Sequence, residues 1–393
     1  MLAAGGTGGH VFPAEVLAEE LRRRGYALTC VTDRRGTAWY SSRRRRALEN
    51  LSVHAVVSGG LAGRSLFGTV AGGARLTWGI GESWILLKSL HPEVVVGFGS
   101  YASVPVIIAS LLAGYPTMVH EQNAVLGRAN RLLAPWVSRV AVSFAPPLYN
   151  AGTTVLHTGT PVRPEMQAIR NVPYVPPNDA NVVRVLVIGG SQGAHIFSDV
   201  IPAALSRLPV ALRTRLRVSQ QVRVEDRAAV VAAYDGLGID VEVESFFDDV
   251  QTRLVETHLV IARAGASTVA ELTVAGRPAI LVPYPHAIND HQTANARAMA
   301  ETGGAWLVPQ VAFTPEALAT KLQTLFALPA ILAEAAMCAR RIALPDAAQR
   351  LADMVESLTG PDEGSRKPSQ SFRAGWMGIR QRESQEYDPH STT

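Results

Sequence analysis

In the stretch LVIARAGASTVAE, residues 259–271, an apolar run, a glycine turn and a carboxylate follow one another. Leu259–Ala262 reads as a buried strand, and Gly265 with Ala266 leaves room for a tight turn and close backbone approach. Ser267 or Thr268 can cap a helix that begins at once, with Glu271 about one turn in. A helix entered this way offers unpaired N–H groups and a positive dipole end to an anion. A carboxylate one turn along could accept both hydroxyls of a ribose. A purely local reading competes. Thr268-Val-Ala-Glu271 also fits a capping box, in which Glu271 only returns a hydrogen bond to the backbone.

Two more glycine turns open the two halves of the chain. Gly5-Gly-Thr-Gly-Gly9-His10 leads into a helix with Val16, Leu17 and Leu21 on one stripe, and Leu28–Thr32 is the next strand. This β–glycine loop–α–β order is the opening of a Rossmann-type domain. A Walker loop would need Gly-Lys-Ser/Thr, which is absent. A dinucleotide fingerprint would need a third glycine near Val11, although Asp33 after the second strand keeps an NAD reading open. Val183–Ile188 followed by Gly189-Gly-Ser-Gln-Gly193-Ala194 restarts the pattern. Between them Val94–Val96 ends on GFGSYAS, Thr117–His120 ends on Glu121-Gln122-Asn123, and Val137–Val142 and Val155–Gly159 lead to further strands. The second half continues with Leu216–Ser219, Val241–Val243 and Ala279–Val282. Polar residues at the carboxyl ends of parallel strands face the ligand crevice. Two such α/β domains, face to face, direct both sets of strand ends into one cleft.

Composition agrees with a buried α/β chain. Of 393 residues, 47% are hydrophobic and 18% charged, and length alone argues for two domains. Cys30 and Cys338 are far apart and lack metal-ligand spacing, which argues against a disulfide framework and a zinc site. The net charge of +4 is mild but clustered at Arg43–Arg46; most such runs are solvated surface, a contact with nucleic acid or anionic lipid being the lesser reading, and nucleic acid is not expected as a partner. No apolar run is long enough to span a bilayer, and no signal peptide precedes the fold. Met1-Leu-Ala-Ala is short for a first strand, so a few further residues are expected upstream.

The expected organisation is a first domain over 1–162, a proline-rich linker over 163–182, and a second domain over 183–345. A last helix over 346–360 finishes the core, after helices at Ala317–Leu325 and Ala330–Arg341, and residues 361–393 read as a disordered tail.

The ordered set GGTGGH, GFGSYAS, HEQNAVLGRANR, TGTPVR, GGSQGA, RAGASTVAEL and PYPHAINDHQTANA resembles the MurG family. These N-acetylglucosaminyltransferases convert lipid I to lipid II in bacterial peptidoglycan synthesis. The resemblance implies a GT-B fold, two Rossmann-like parallel-sheet domains across a cleft, with UDP-N-acetylglucosamine on the C-terminal half and lipid I on the N-terminal half. It places the ribose on Glu271 and the diphosphate on Ser191, Gln192 and the Gly193 loop, with Arg163 as a further diphosphate contact. Phe246 and Phe247 stand where the family holds uracil, a core role being the alternative for one of them. Gln292 is implied on the sugar hydroxyls, with Asn295 beside it, and Asn123 joins the donor set. Thr7, Gly8 and Gly9 belong with that set too, and their loop amides also suit the acceptor's diphosphate. Tyr101, Gln122 and Asn130 line the acceptor side. Ser100, Ser198 and His291 depart from the family's usual glycine, asparagine and glutamine.

Transfer from an α-linked donor to a β-linked product inverts, so one displacement needs one base. His10 is the candidate, at a helix start and titrating near neutrality, and Glu121 is its rival. No metal and no cofactor are required. The lipid acceptor implies a peripheral protein on the cytoplasmic face of the bacterial membrane, touching it through the hydrophobic region 66–85 with Arg64 and Arg75 beside it and Arg43–Arg46 helping through anionic headgroups, near other cell-wall synthesis and division proteins. A UDP-sugar epimerase, an NAD-dependent oxidoreductase and a non-catalytic scaffold are the alternatives.

Overall fold

The computed structural model describes residues 1–5, 8–33, 51–58, 66–145, 153–178, 181–190 and 193–359, with the side chains of 66–70 excepted. Thr7, Ser191, Gln192, Arg43–Arg46, Arg64, the Phe67 side chain and the tail 361–393 lie outside the described residues.

The first domain is built on β1 (Leu2–Ala3), β2 (Thr29–Thr32), β3 (Ser52–Ala55), β4 (Val95–Gly97), β5 (Thr117–Glu121), β6 (Arg139–Val142) and β7 (Thr154–His157). They form one sheet in the order β3-β2-β1-β4-β5-β6-β7, every pair parallel. The second uses β8 (Val183–Ile188), β9 (Leu216–Gln221), β10 (Asp240–Glu244), β11 (Leu259–Ala262), β12 (Ala279–Leu281) and β13 (Ala305–Leu307). Their order is β10-β9-β8-β11-β12-β13, again parallel throughout. Central strands such as Leu259–Ala262 are buried from end to end, as helices on both faces of a parallel sheet require. In each sheet the strand order reverses once, at β1/β4 and at β8/β11, and the glycine turns follow the strands on either side.

Several expectations need correction. The first strand has two residues rather than four, with the Met1 amine donating to the Val94 carbonyl at 2.8 Å. The edge strands β3 and β13 were not foreseen. The proline-rich linker is not structureless: Pro164–Ala168 is a helix with proline at its start, where the missing N–H costs nothing. Met166 in it is fully buried against Val260 and Leu272 of the second domain's core.

The region rich in glycine and tryptophan is one helix, Leu66–Leu90, packed on the helix Ser100–Ala113. Gly79 permits that approach, since a side chain there would collide with the Val57 carbonyl and meet Pro105. The last helix, Ala347–Glu356, crosses back to the first domain. Leu351, Ala352 and Val355 pack with Ala14, Leu17 and Leu21 of the helix Gly8–Arg23. Arg24 anchors it by donating to Asp353 Oδ1 at 2.6 Å and Glu356 Oε2 at 2.7 Å. The chain therefore passes between domains twice, and the passes touch at Gly159 (φ +82°), where a Cβ would lie 2.8 Å from that of Leu344.

Candidate active site

The strand ends of the two sheets are hydrogen-bonded to each other through one residue. Asn295, fully buried on the helix His291–Ala300 of the second domain, accepts from the Ala124 backbone N–H at 2.7 Å through Oδ1. Its Nδ2 donates to Asn123 Oδ1 and to the Ala264 carbonyl, both at 3.1 Å. One side-chain amide thus joins the loop after β5 to the turn after β11. Asn295 is committed to this bridge rather than turned to a sugar.

On the first domain's side, His10 stands in the first turn of the helix Gly8–Arg23, whose opening residues Gly8 and Gly9 end the first glycine loop. Its Nδ1 lies 2.8 Å from the Phe98 carbonyl and 2.9 Å from Gln122 Oε1. Gly99 (φ +75°) fits between neighbours: a Cβ there would stand 3.4 Å from both the His10 ring and the Asn130 amide. Asn130 is buried, donates to the His120 carbonyl and Glu121 Oε2, and keeps its Oδ1 buried without a partner among the described residues. Tyr101, about a third exposed, starts the helix Ser100–Ala113. Ser100 before it takes φ +62°, a left-handed conformation better suited to the glycine usual in the family.

Glu121 is buried and fully engaged. Oε1 accepts from the Asn123 N–H at 3.0 Å and from Asn123 Nδ2 at 3.1 Å. Oε2 accepts from the Gly127 N–H at 2.8 Å and from Asn130 Nδ2 at 2.9 Å. A carboxylate has about four acceptor positions, so Glu121 is the anchor of the loop 121–127, and taking a substrate proton would break one of its bonds.

On the second domain's side, the helix Ala266–Ala275 starts two or three residues sooner than a Ser267 or Thr268 cap would set it. Gly265 is the N-cap and no side chain caps it. Glu271 therefore lies too far along for a capping box, and that reading falls. Glu271 Oε1 instead accepts from Arg163 Nη2 at 3.1 Å. The Arg163 guanidinium also covers the Phe12 ring at 5.7 Å. Ser267, which sequence reading used only as a cap, has a buried hydroxyl with no partner among the described residues at this helix start. Gln292 Oε1 accepts from the Ala264 N–H at 3.2 Å and the Tyr284 N–H at 2.9 Å. Gly193 (φ +68°) closes the third glycine turn on the Gly190 carbonyl. The two phenylalanines separate: Phe247 is 6% exposed in the core with the Arg253 guanidinium 4.1 Å over its ring, while Phe246 is 48% exposed. Ser198 donates to Asp226 Oδ2 at 3.0 Å and His291 Nδ1 lies 2.7 Å from the Ile288 carbonyl, so both departures have partners within the protein.

Arg263 was not foreseen. Its guanidinium lies between the rings of Phe197 and Tyr284 and donates to the Val282 and Pro283 carbonyls and to Gln310 Oε1. Desolvation lowers its pKa. Its only sequence signal was an arginine directly after an apolar strand.

Among the described residues, no three His, Cys, Asp or Glu side chains are grouped to hold a metal ion. No single described helix is long and apolar enough to cross a membrane. The helix Leu66–Leu90 nevertheless presents Trp78, 66% exposed, and Ile85, 72% exposed, with Arg75 also exposed.

Comparisons with known proteins follow the same division. Residues 1–142 match the Glycosyltransferase family 28 N-terminal domain, and residues 184–351 match the Glycosyltransferase family 28 C-terminal domain. A protein of Paramagnetospirillum magneticum is 52% identical over 367 residues, covering 93% of this chain and 98% of its own. One of Rhodospirillum rubrum is 53% identical over 356 residues, 91% of each chain. Both are named UDP-N-acetylglucosamine--N-acetylmuramyl-(pentapeptide) pyrophosphoryl-undecaprenol N-acetylglucosamine transferase. The crystal structure of Acinetobacter baumannii MurG superposes with a TM-score of 0.73 at 30% identity, covering 91% of this chain and 98% of that one. The calicheamicin glycosyltransferase CalG4, at a TM-score of 0.62 and 17% identity, covers 91% of this chain and 97% of its own and shares the fold.

Proposed function

The chain belongs to glycosyltransferase family 28 and, within it, to the MurG family; from that premise we propose that it carries N-acetylglucosamine from UDP-N-acetylglucosamine to the muramoyl sugar of undecaprenyl-diphospho-MurNAc-pentapeptide, lipid I, giving lipid II and UDP. Its fold is GT-B. With relatives of this name along nearly the whole chain, the epimerase and oxidoreductase alternatives are not favoured. The observation that carries the reading is the bridge at Asn295, which brings the polar ends of both sheets around one cleft.

In the reaction the acceptor hydroxyl attacks the anomeric carbon from the face opposite UDP. The bond from that carbon to the diphosphate oxygen breaks, and the configuration inverts. His10 takes the hydroxyl proton: with Nδ1 facing two acceptors, the lone pair of the neutral ring is on Nε2. The helix Ala266–Ala275 begins with uncapped N–H groups, which suit the departing diphosphate. Arg163 and Glu271 hold each other in the free site; the donor replaces both halves of the pair, its diphosphate taking Arg163 and its ribose taking Glu271. Gln292 fixes the sugar, and Phe246, the more exposed phenylalanine, takes the uracil. The steps are redox-neutral and draw their positive charge from the protein, so they call for no cofactor.

The protein works as a peripheral one on the cytoplasmic membrane face, beside other cell-wall synthesis and division proteins, with Trp78 and Ile85 entering the headgroup layer. Transfer of radiolabelled N-acetylglucosamine to a lipid I analogue tests the function directly. UDP-N-acetylglucosamine turnover without acceptor, giving a free epimer and no labelled lipid, would sink it.

A further inference from the structure

Gln122 is buried just past the end of β5, with hydrogen-bonding neighbours on both sides. Its Nε2 lies 3.1 Å from the Phe98 carbonyl and 3.2 Å from the His120 carbonyl. Carbonyl oxygens only accept, so the amide nitrogen must face them and Oε1 must face the other way. There it meets His10 Nδ1 at 2.9 Å. That ring nitrogen, between two acceptors, carries the proton.

The other end of the chain is determined in the same way. Gln122 Nε2 also lies 3.1 Å from His120 Nδ1, and an amide nitrogen cannot accept, so a proton on this ring nitrogen would have no acceptor there and the nitrogen is bare. His120 Nε2 then carries the ring proton and donates to the Gly159 carbonyl at 3.1 Å, with Ser143 Oγ at 3.3 Å. His120 has no exposed surface, and burial pushes its pKa down to about 4, so it stays neutral where the enzyme works. A protonated His120 would set an N–H against the Gln122 N–H and break the chain.

We propose that Gln122, oriented by its carbonyl neighbours and by His120, is a positioning residue that holds His10 in its Nδ1–H form and so leaves Nε2 to accept the proton. This rests on His10 being the base. The titratable and charged groups around His10 are few. His120 and Glu121 stand behind Gln122 on β5, and Glu121 is already saturated. Glu15 is buried further along the same helix. The Arg163–Glu271 pair lies beyond Phe12. Among the described residues no carboxylate is bonded to His10 Nδ1, so its side-chain partner is a neutral amide oxygen that fixes the ring's orientation.

The test combines ring-nitrogen NMR with kinetics on the full chain. In protein labelled with 15N-histidine, His10 and His120 are assigned from the signals lost in His10→Asn and His120→Asn. At pH 7 to 9 the expected result is His10 protonated on Nδ1 and His120 on Nε2. A His10 ring protonated mainly on Nε2 overturns the proposal without any activity measurement. In Gln122→Met, kcat should fall roughly ten- to a hundredfold, less than on removing a base, with both KM values nearly unchanged. The His10 ring should then become a mixture of tautomers. If this variant keeps both its kcat and its tautomer, the Phe98 carbonyl suffices alone and Gln122 has no such role. If it does not fold, the spectrum of the unaltered protein decides. His10→Ala is run beside it: full kcat there ends the base reading, whatever the tautomer proves to be.

Discussion

Around β1 and β4 the strand ends carry side chains bonded mainly to one another, whereas around β8 and β11 they carry backbone amides and a few long side chains. His10, Gln122, His120, Glu121 and Asn130 form a largely buried, mutually bonded polar cluster in the first crevice, with Asn130 Oδ1 left without a partner among the described residues. The second has an ion pair about four-fifths buried and, at a helix start, a Ser267 hydroxyl without a partner among the described residues. Both crevices sit on the same strand order. A satisfied buried network is rigid and specifies one arrangement. Unsatisfied N–H groups at a helix start are a receptacle for an anion. One frame therefore serves two purposes, and the residues projecting from the strand ends decide which.

That contrast can be broken by the kind of damage each crevice shows. The largest effect should come from His10→Ala, a fall in kcat of about 10²–10⁴-fold with little change in acceptor KM. An increase in acceptor KM with kcat preserved would make His10 a binding residue and dissolve the distinction.

Acid should weaken the first domain through His120. Its pKa is pushed down to about 4 in the fold, so between the ordinary imidazole value and pH 4 the unfolded chain binds more protons. Stability is complete above about pH 6.5 and falls as pH drops, by on the order of 3 kcal/mol at pH 4. His258, buried in the second domain and also pushed down to about 4, adds a slope of the same sign. Urea unfolding across this range should show a reduced slope in His120→Asn, and an unchanged slope would exclude His120 as a source.

Single charged hydrogen bonds come next. Glu271→Ala should weaken UDP-N-acetylglucosamine binding by about 1.5–3 kcal/mol, roughly ten- to a hundredfold, at nearly constant thermal stability. Glu121→Gln should do the reverse: it turns one of the two oxygens into a donor, so either Asn123 or the pair Gly127 and Asn130 loses its acceptor, and its unfolding free energy should drop by about 1–3 kcal/mol. If calorimetry shows Glu121→Gln fully stable but inactive with a lost basic limb in its pH profile, Glu121 is the base after all. The smallest change is Ser100→Gly, which should gain about 1 kcal/mol by relieving a left-handed serine. A loss there would mean that the Ser100 hydroxyl, 3.3 Å from the Ala102 N–H, outweighs the strain.

Much of the frame was legible because parallel strands buried on both faces are written as apolar runs ending in glycine. Leu259–Ala262 and Val183–Ile188 coincide with β11 and β8 residue for residue. β3 was not, because Ser52–Ala55 is an edge strand with no fully buried residue and no alternation. The individual residues of the site were nameable by resemblance, but their partners were not. Asn295 to Asn123 and Arg163 to Glu271 are each separated by more than a hundred residues, and no local period records such a bond. The capping box at Thr268 failed for the opposite reason: it was locally complete, and the helix simply begins at an earlier glycine.

The last helix has a consequence for how the protein is made. The stripe Ala14, Leu17 and Leu21 is synthesised near the start, yet Leu351 and Val355 that cover it come near the end. Arg24 waits 332 residues for Glu356. Closing so long a loop adds little to the equilibrium cost, since loop entropy grows only with the logarithm of length. It delays the event in time, however. The domain that emerges first from the ribosome is thus the one completed last, with an apolar stripe uncovered until the other domain has been built. A nascent chain of this kind must either be shielded during that interval or fold its second half quickly.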